Sequence, residues 1–190
     1  MKQPQPPQQE QEQEQEQPVL FTANNVKETN DAYRGVLRIV RNKYDGDYGL
    51  IANRDFEKGD YIMTGSSKSS SKKKGTHTIQ TNYDTHVIMD LPAILINHSC
   101  FGNVGIVDNP KSGAYDFYAI QSISKETELV WDYETAEYEI TNFPKCGCRQ
   151  KEYCRTILRG YKVHGSIVRQ QYGSQYIANY LLTSQNKTDK

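Results

Sequence analysis

The chain has 190 residues, 23 basic and 23 acidic side chains, and an apolar fraction of 36%. This length fits one folded domain, and the balanced charge excludes the global field that would attract nucleic acid or an anionic membrane. No stretch approaches the run of roughly 18 apolar residues that a membrane span needs. We therefore expect an intracellular protein, in the nucleus or the cytoplasm, with no membrane partner.

The amino-terminal segment is almost entirely glutamine, glutamate and proline: MKQPQPPQQEQEQEQEQP. Such a composition cannot bury enough apolar surface to offset the entropy lost on ordering. We therefore predict a disordered tail over residues 1–18. The polar end of the chain, residues 184–190, is predicted to be a second, frayed tail.

Between these tails, short segments rich in β-branched and aromatic residues alternate with turn formers. The pattern predicts a mainly β domain, a β-rich α+β fold with few helices. The predicted strands are Gly35–Val40, Tyr61–Thr64, Thr76–Thr81, His86–Met89, Tyr115–Ala119 and Leu129–Trp131.

A lysine-rich segment interrupts this region at Ser66–Gly75, SSKSSSKKKG, with four lysines and no acidic residue. Its serines and glycine predict a surface loop. A solvated insertion is the favoured interpretation, and a basic patch for acidic partners is the alternative. We do not expect direct nucleic-acid binding.

The carboxy-terminal segment 162–183 is predicted to pack against the domain. Its residues Tyr176, Ile177, Tyr180 and Leu181 are spaced so that they share one face of a helix. The sequence therefore predicts a C-terminal helix.

The four cysteines of the chain suggest a metal site. Cys146, Cys148 and Cys154 are clustered as C-x-C-x5-C, and Cys100 lies far upstream. Zinc favours four thiolates in a tetrahedron, and a short loop can supply three of them while the fold delivers the fourth. Two disulfides or four unrelated thiols are the alternatives, and the expected intracellular location argues against disulfides. We predict one structural Zn²⁺.

Four motifs in order carry a resemblance to a known family. Asn97-His98-Ser99-Cys100 and Asp132-Tyr133 resemble the signature of SET-domain protein lysine methyltransferases, preceded by a first motif in VLRIVRNKYDGDYGLIANRDFEKGDYI. The sequence KCGCRQKEYCRTILRGY is similar to the post-SET motif of that family. The resemblance predicts a SET domain over residues 34–138 and a post-SET zinc segment over 142–161.

The resemblance implies a fold of small sheets with a knot-like crossing at the active site. It also implies methyl transfer from S-adenosyl-L-methionine to a lysine of a protein substrate, with a histone as the default candidate. We expect the protein to act as a monomer.

The cofactor site follows from the same resemblance. Asn97 would bind the methionine part of the cofactor through its side chain, and His98 would help to hold the adenine, largely through its backbone. A loop would bring its backbone close to the cofactor; its residues are Tyr48, Gly49 and Leu50.

Three aromatic residues complete the implied site. Tyr133 would be the catalytic tyrosine and would also contact the cofactor. Phe143 could stack on the adenine or serve in ordinary core packing. Trp131 would line the lysine channel, where its large indole favours few methyl additions.

The chain also departs from the family pattern. Asp47 replaces a glycine of the first motif, Thr64-Gly65 ends a segment that lacks one channel tyrosine, and Trp131 stands where Phe or Tyr is usual. These departures leave open an alternative, a catalytically impaired SET-like module that binds peptides or chromatin proteins. A zinc-stabilised scaffold without a cofactor is a third hypothesis.

Overall fold

The computed structural model describes residues 21–42, 46–75, 77–141, 145–148 and 152–183. The predicted tails at 1–18 and 184–190, and Phe143, lie outside these ranges. Within them, every helix is too short or too polar to cross a membrane.

Strands dominate the described residues, which confirms the mainly β prediction. The strands are β1 (Leu37–Arg41), β2 (Tyr48–Ala52), β3 (Tyr61–Gly65), β4 (Ser67–Ser71), β5 (Ile79–Asn82), β6 (Thr85–Met89), β7 (Asn97–His98), β8 (Val104–Asn109), β9 (Ala114–Ala119) and β10 (Glu128–Trp131). The α-helices are α1 (Ala23–Ala32), α2 (Tyr161–Tyr172) and α3 (Asn179–Thr183).

The strands form two sheets. The larger sheet has the order β1-β2-β10-β8-β9-β3, and the two-residue strand β7 also pairs with β10. β10 runs antiparallel to β2 but parallel to β7 and β8. The smaller sheet has the order β4-β6-β5. β10 therefore lies at the centre of the larger sheet, although it is the last strand in sequence among the described residues.

The core consists of side chains from the inner faces of the larger sheet. Leu50, Ile106, Phe117 and Leu129 are fully buried there. Each such side chain contributes about 1.5–3 kcal/mol on burial. Since these residues come from β2, β8, β9 and β10, their packing holds together strands that are distant in the sequence.

Two segments expected to be loops contain strands instead. Tyr48, Gly49 and Leu50 begin β2, paired with β1 along its whole length. The lysine-rich stretch 66–75 contains β4, an edge strand paired with β6. Serine and lysine are poor strand signals, and the hydrogen bonds to β6 override that local preference.

The lysine-rich stretch is also fixed at its far end. Lys74 Nζ lies 2.6 Å from Glu137 Oε2, and the Glu137 side chain is only 3% exposed. Glu137 Oε1 accepts a further hydrogen bond from Gln80 N at 2.8 Å. These contacts join the smaller sheet to the segment that follows β10.

The carboxy-terminal segment contains two helices rather than one. The predicted helix around 176–181 is divided into a 3₁₀ turn, Ser174–Tyr176, and the short α3. The longer α2 was not predicted, because its buried face includes Gly165 among polar neighbours. Gly160 and Gly173 bound α2, and both adopt positive φ, +89° and +70°.

Candidate active site

The segment after β7 wraps closely around the end of β10. His98 pairs with Trp131, and the next residue, Ser99, donates its N–H to Trp131 O at 2.9 Å. A Cβ on Gly102 would lie 2.9 Å from Trp131 Cα, so only glycine fits this approach. The crossing brings Asn97, His98 and Tyr133 into one place.

A tight backbone approach occurs where β2 meets Asn97. A Cβ on Gly49 would lie 3.1 Å from Asn97 Nδ2 and 3.0 Å from Glu128 Oε1. Asn97 Nδ2 donates to Tyr48 O and to Glu128 Oε1, both at 3.1 Å. Both amide hydrogens are therefore used within the protein, and Glu128 is a positioning residue that the sequence reasoning missed.

The other residues predicted to bind the cofactor differ in how deeply they are buried. Leu50 is fully buried in the core, whereas Tyr48 is half-buried and its ring lies 5.8 Å from that of Phe21. Asp47, the departure from the family glycine, is exposed at the β1–β2 turn, next to Gly46 with φ +78°.

His98 is held by contacts of its own ring. Its Nδ1 accepts a hydrogen bond from Tyr133 N at 3.3 Å, and its Nε2 lies 3.4 Å from Cys100 Sγ. Burial, with a smaller effect of the Arg155 charge, lowers the pKa of His98 to about 3, so the imidazole is neutral. The side chain therefore serves internal contacts.

Tyr133 begins a 3₁₀ turn, Tyr133–Thr135, that the Asp132 side chain caps by accepting from Glu134 N. The Tyr133 hydroxyl donates to Ile96 O at 2.9 Å. Its ring centroid lies 5.1 Å from that of His98 and 5.2 Å from that of Trp131. Burial raises the pKa of Tyr133 well above its usual value, so the phenol stays protonated.

Trp131 is buried beside this tyrosine, with 2% of its surface exposed. Its ring meets that of Phe117 edge-on at 5.8 Å. Its indole Nε1 has no hydrogen-bond partner among the described residues. A buried indole N–H without a partner is costly, and a ligand or a water can satisfy it.

The four cysteines come together as the zinc prediction requires. Their Sγ atoms all lie within 4.8 Å of one another, and no disulfide joins them. The Sγ atoms of Cys100 and Cys146 are 3.5 Å apart. Four thiolates at about 2.3 Å from a zinc ion would be about 3.8 Å apart, so the spacing fits a tetrahedral site.

Backbone groups around the cysteines also suit thiolates. Cys146 Sγ accepts from Cys148 N at 3.3 Å, Cys100 Sγ from Arg155 N at 3.4 Å, and Cys154 Sγ from Thr156 N at 3.3 Å. Burial raises the pKa of the Cys100 thiol to about 12. A cation is therefore needed to hold this site in the ionised form.

The carboxy-terminal helices are fixed to the cysteine cluster from the other side. Gln171 Nε2 and the Tyr172 hydroxyl both donate to Cys100 O, at 2.8 and 3.1 Å. The same hydroxyl accepts from Gly102 N at 3.1 Å. Helix α2 thereby holds the loop that follows β7.

The acidic residues on either side of Tyr133 form a buried charge network that sequence reasoning missed. The Arg155 guanidinium contacts Asp132 Oδ2, and its Nε lies 2.6 Å from Glu134 Oε2. Burial raises the pKa of Asp132 to about 6 although Arg155 opposes the shift. Glu134 also accepts from Gly160 N at 2.7 Å and contacts His164 Nδ1 at 2.9 Å. The signal in the sequence is an arginine directly after the last cysteine and acids flanking the tyrosine.

Residues 47–134 match the family model described as SET domain. The chain contains a SET domain. The match includes Gly49, Asn97-His98 and Asp132-Tyr133, whereas Cys146, Cys148 and Cys154 lie beyond it.

Several solved structures are similar to the SET domain and its surroundings. KRYPTONITE in complex with mCHG DNA and SAH matches with a TM-score of 0.50 and 16% identity, over 64% of this chain and 28% of that chain. This likeness supports the SET fold alone.

Two further structures match less closely. A structure on the product specificity of histone lysine methyltransferases gives a TM-score of 0.47 and 23% identity, over 68% of this chain and 59% of that one. A proposed histone methyltransferase of Plasmodium falciparum gives a TM-score of 0.41 and 16% identity, over 51% of this chain and 96% of that one. No curated protein matches this chain.

Proposed function

We propose that this chain catalyses methyl transfer from S-adenosyl-L-methionine to a lysine side chain of a protein substrate. The observation that carries the proposal is the meeting of Gly49, Asn97 and the half-buried Tyr133 at the crossing of a SET domain. A histone is the first substrate to test, and action as a monomer in the nucleus or cytoplasm is part of the proposal.

The cofactor would lie along the start of β2. The lack of a side chain at Gly49 lets a ligand approach the backbone there. Because both Asn97 amide hydrogens are used by Tyr48 and Glu128, Asn97 would accept from the ammonium group of the methionine part through its Oδ1. S-adenosylmethionine, when bound, supplies an electrophilic methyl group on a sulfonium sulfur.

Tyr133 would orient the reacting groups rather than remove a proton. Its raised pKa keeps the hydroxyl neutral, and its bond to Ile96 O fixes the oxygen in place. A lysine ammonium, with an ordinary pKa of about 10.4, must lose its proton before it can attack, and an apolar channel favours the neutral amine. The buried Trp131 would form one wall of that channel and keep water out.

We also propose that the cysteine cluster holds one zinc ion. Cys100, Cys146, Cys148 and Cys154 supply four sulfurs at suitable spacing, and three backbone N–H groups stabilise their charge. Buried Ile140 and Leu158 shield the cluster from solvent. The ion would hold the carboxy-terminal loop against the residues that follow β7.

The direct test is transfer of a labelled methyl group to a panel of histones and cell-extract proteins. Tyr133→Phe should reduce the rate by at least about tenfold, because it removes the oriented hydroxyl. Tyr83→Phe is the matched control, because that tyrosine is exposed in the β5–β6 turn. Equal labelling by wild type and Tyr133→Phe would refute the role of Tyr133.

One observation favours the alternative, a SET-like binding module without turnover. Trp131 fills the position beside Tyr133 with a fully buried indole, which could block a lysine side chain. Calorimetric binding of S-adenosylmethionine or histone peptides, without labelling of any protein in the panel, would support this alternative over the enzyme.

A further inference from the structure

Arg155 directly follows the last cysteine of the cluster, and its side chain reaches into the protein. Only 7% of that side chain is exposed, and the carboxylates of Asp132 and Glu134 that it contacts are fully buried. Removing three charged groups from water is expensive, and their mutual attraction offsets that cost. The pairing is ionic as well as hydrogen-bonded, because Arg155 Nε and Nη1 make no hydrogen bond to the described residues. These contacts therefore differ from an ordinary surface ion pair.

Asp132 fixes the tyrosine turn through its carboxylate and its backbone carbonyl. Asp132 Oδ1 accepts from Glu134 N at 3.1 Å, and Asp132 O accepts from Thr135 Oγ1 at 2.8 Å. Tyr133 lies between Asp132 and Glu134 in the chain, with its hydroxyl directed at Ile96 O. A displacement of the Asp132 carboxylate would therefore move the Tyr133 ring.

Arg155 also touches the metal cluster through its backbone, because its N–H donates to Cys100 Sγ at 3.4 Å. The other groups on Glu134 are the N–H groups of Arg159 and Gly160, directly before α2, and the His164 ring in its first turn. Arg155 therefore contacts Asp132 and Glu134 through its side chain and directly follows Cys154, a residue of the cysteine cluster, in the sequence.

We propose that Arg155 is a positioning residue that couples occupancy of the cysteine cluster to the placement of Tyr133. Cys100 and Cys154 would both bind the metal ion, and their ligation would fix the backbone of Arg155 between them. The guanidinium then sets Asp132 and Glu134, and with them the tyrosine hydroxyl. The catalytic consequence rests on the proposed methyl transfer, whereas the structural coupling does not.

The intrinsic fluorescence of Trp131 can report this coupling. Trp131 is the single tryptophan of the chain, and its ring lies 5.2 Å from that of Tyr133. Its fluorescence therefore senses the position of Tyr133 without turnover. The experiment is a zinc titration of metal-free full-length protein, with emission recorded and bound zinc measured by elemental analysis.

Three variants are compared with wild type. Arg155→Met removes the charge at similar length, Arg155→Lys keeps the charge but loses the fork geometry, and Arg159→Met is the control, since the Arg159 side chain is exposed. We expect wild type and Arg159→Met to show the same zinc-dependent change in emission. Arg155→Met should bind one zinc per chain and show no change, and Arg155→Lys should show a reduced one.

Methyl transfer then gives the second measurement. In Arg155→Met, kcat should fall by about 10- to 100-fold while the dissociation constant for S-adenosylmethionine changes by less than about threefold, because misplacement of the tyrosine affects the reaction and not cofactor binding.

The outcomes separate this proposal from the proposed function. An emission response in Arg155→Met equal to that of wild type, or no response in wild type, overturns the coupling. If Arg155→Met fails to fold, a full response in Arg155→Lys overturns it. An inactive wild type whose emission response depends on Arg155 upholds the coupling and refutes only the enzyme.

Discussion

Substitution of Gly49 by alanine tests where the cofactor binds. The new Cβ would lie 3.1 Å from Asn97 Nδ2 and 3.0 Å from Glu128 Oε1, closer than nearly all observed Cβ contacts. The Asn97 amide must then move and give up its bonds to Tyr48 O and Glu128. Each bond is worth about 0.5–1.5 kcal/mol net, so the site loses about 1–3 kcal/mol.

If that free energy is lost from cofactor binding, the dissociation constant for S-adenosylmethionine should rise about 5- to 150-fold. Titration calorimetry measures it, and thermal unfolding checks that the domain stays folded. Gly35→Ala is the matched control, because a Cβ there meets no atom within 4 Å. A folded Gly49→Ala protein that binds the cofactor as tightly as wild type would show that the cofactor site is elsewhere.

Three further predictions concern the metal, the channel and the C-terminal helix. Cys100→Ser should lower both the zinc content and the thermal midpoint, measured by elemental analysis and calorimetry, and one zinc retained per chain would place the fourth ligand elsewhere. Trp131→Phe should increase the number of methyl groups added per lysine, read by mass spectrometry of the product, because the smaller ring widens the channel; an unchanged product would contradict that role. Tyr172→Phe should destabilise the domain by about 1–3 kcal/mol in urea unfolding, because it leaves the buried Gly102 N–H without its acceptor. Tyr153→Phe, an exposed ring, should change stability by less than about 0.5 kcal/mol.

Much of the sheet could be predicted from the sequence because its signals are local. The segments around Tyr61, His86 and Tyr115 all form strands within about two residues of the predicted bounds. In these segments the side chains that favour strands are also the ones the core buries, so propensity and packing agree.

The elements that were missed depend on distant partners. β4 is stabilised by pairing with β6, and α2 by the contacts of Tyr172 with the loop after β7. The buried charge network around Tyr133 could not be predicted for the same reason, since Arg155 is 23 residues from Asp132 in sequence. The cysteine cluster could be predicted because cysteines are recognised as zinc ligands by their side-chain chemistry, without any hydrophobic periodicity.

The central place of β10 has a consequence for how the chain is made. Without β10 the larger sheet would separate into β1–β2 and β8–β9–β3, each with an unpaired edge. As the chain leaves the ribosome, these two halves emerge first and must wait for the strand that joins them. Open strand edges are prone to aggregate, and pairing between distant segments is slow. A fragment that ends before β10 should therefore be insoluble.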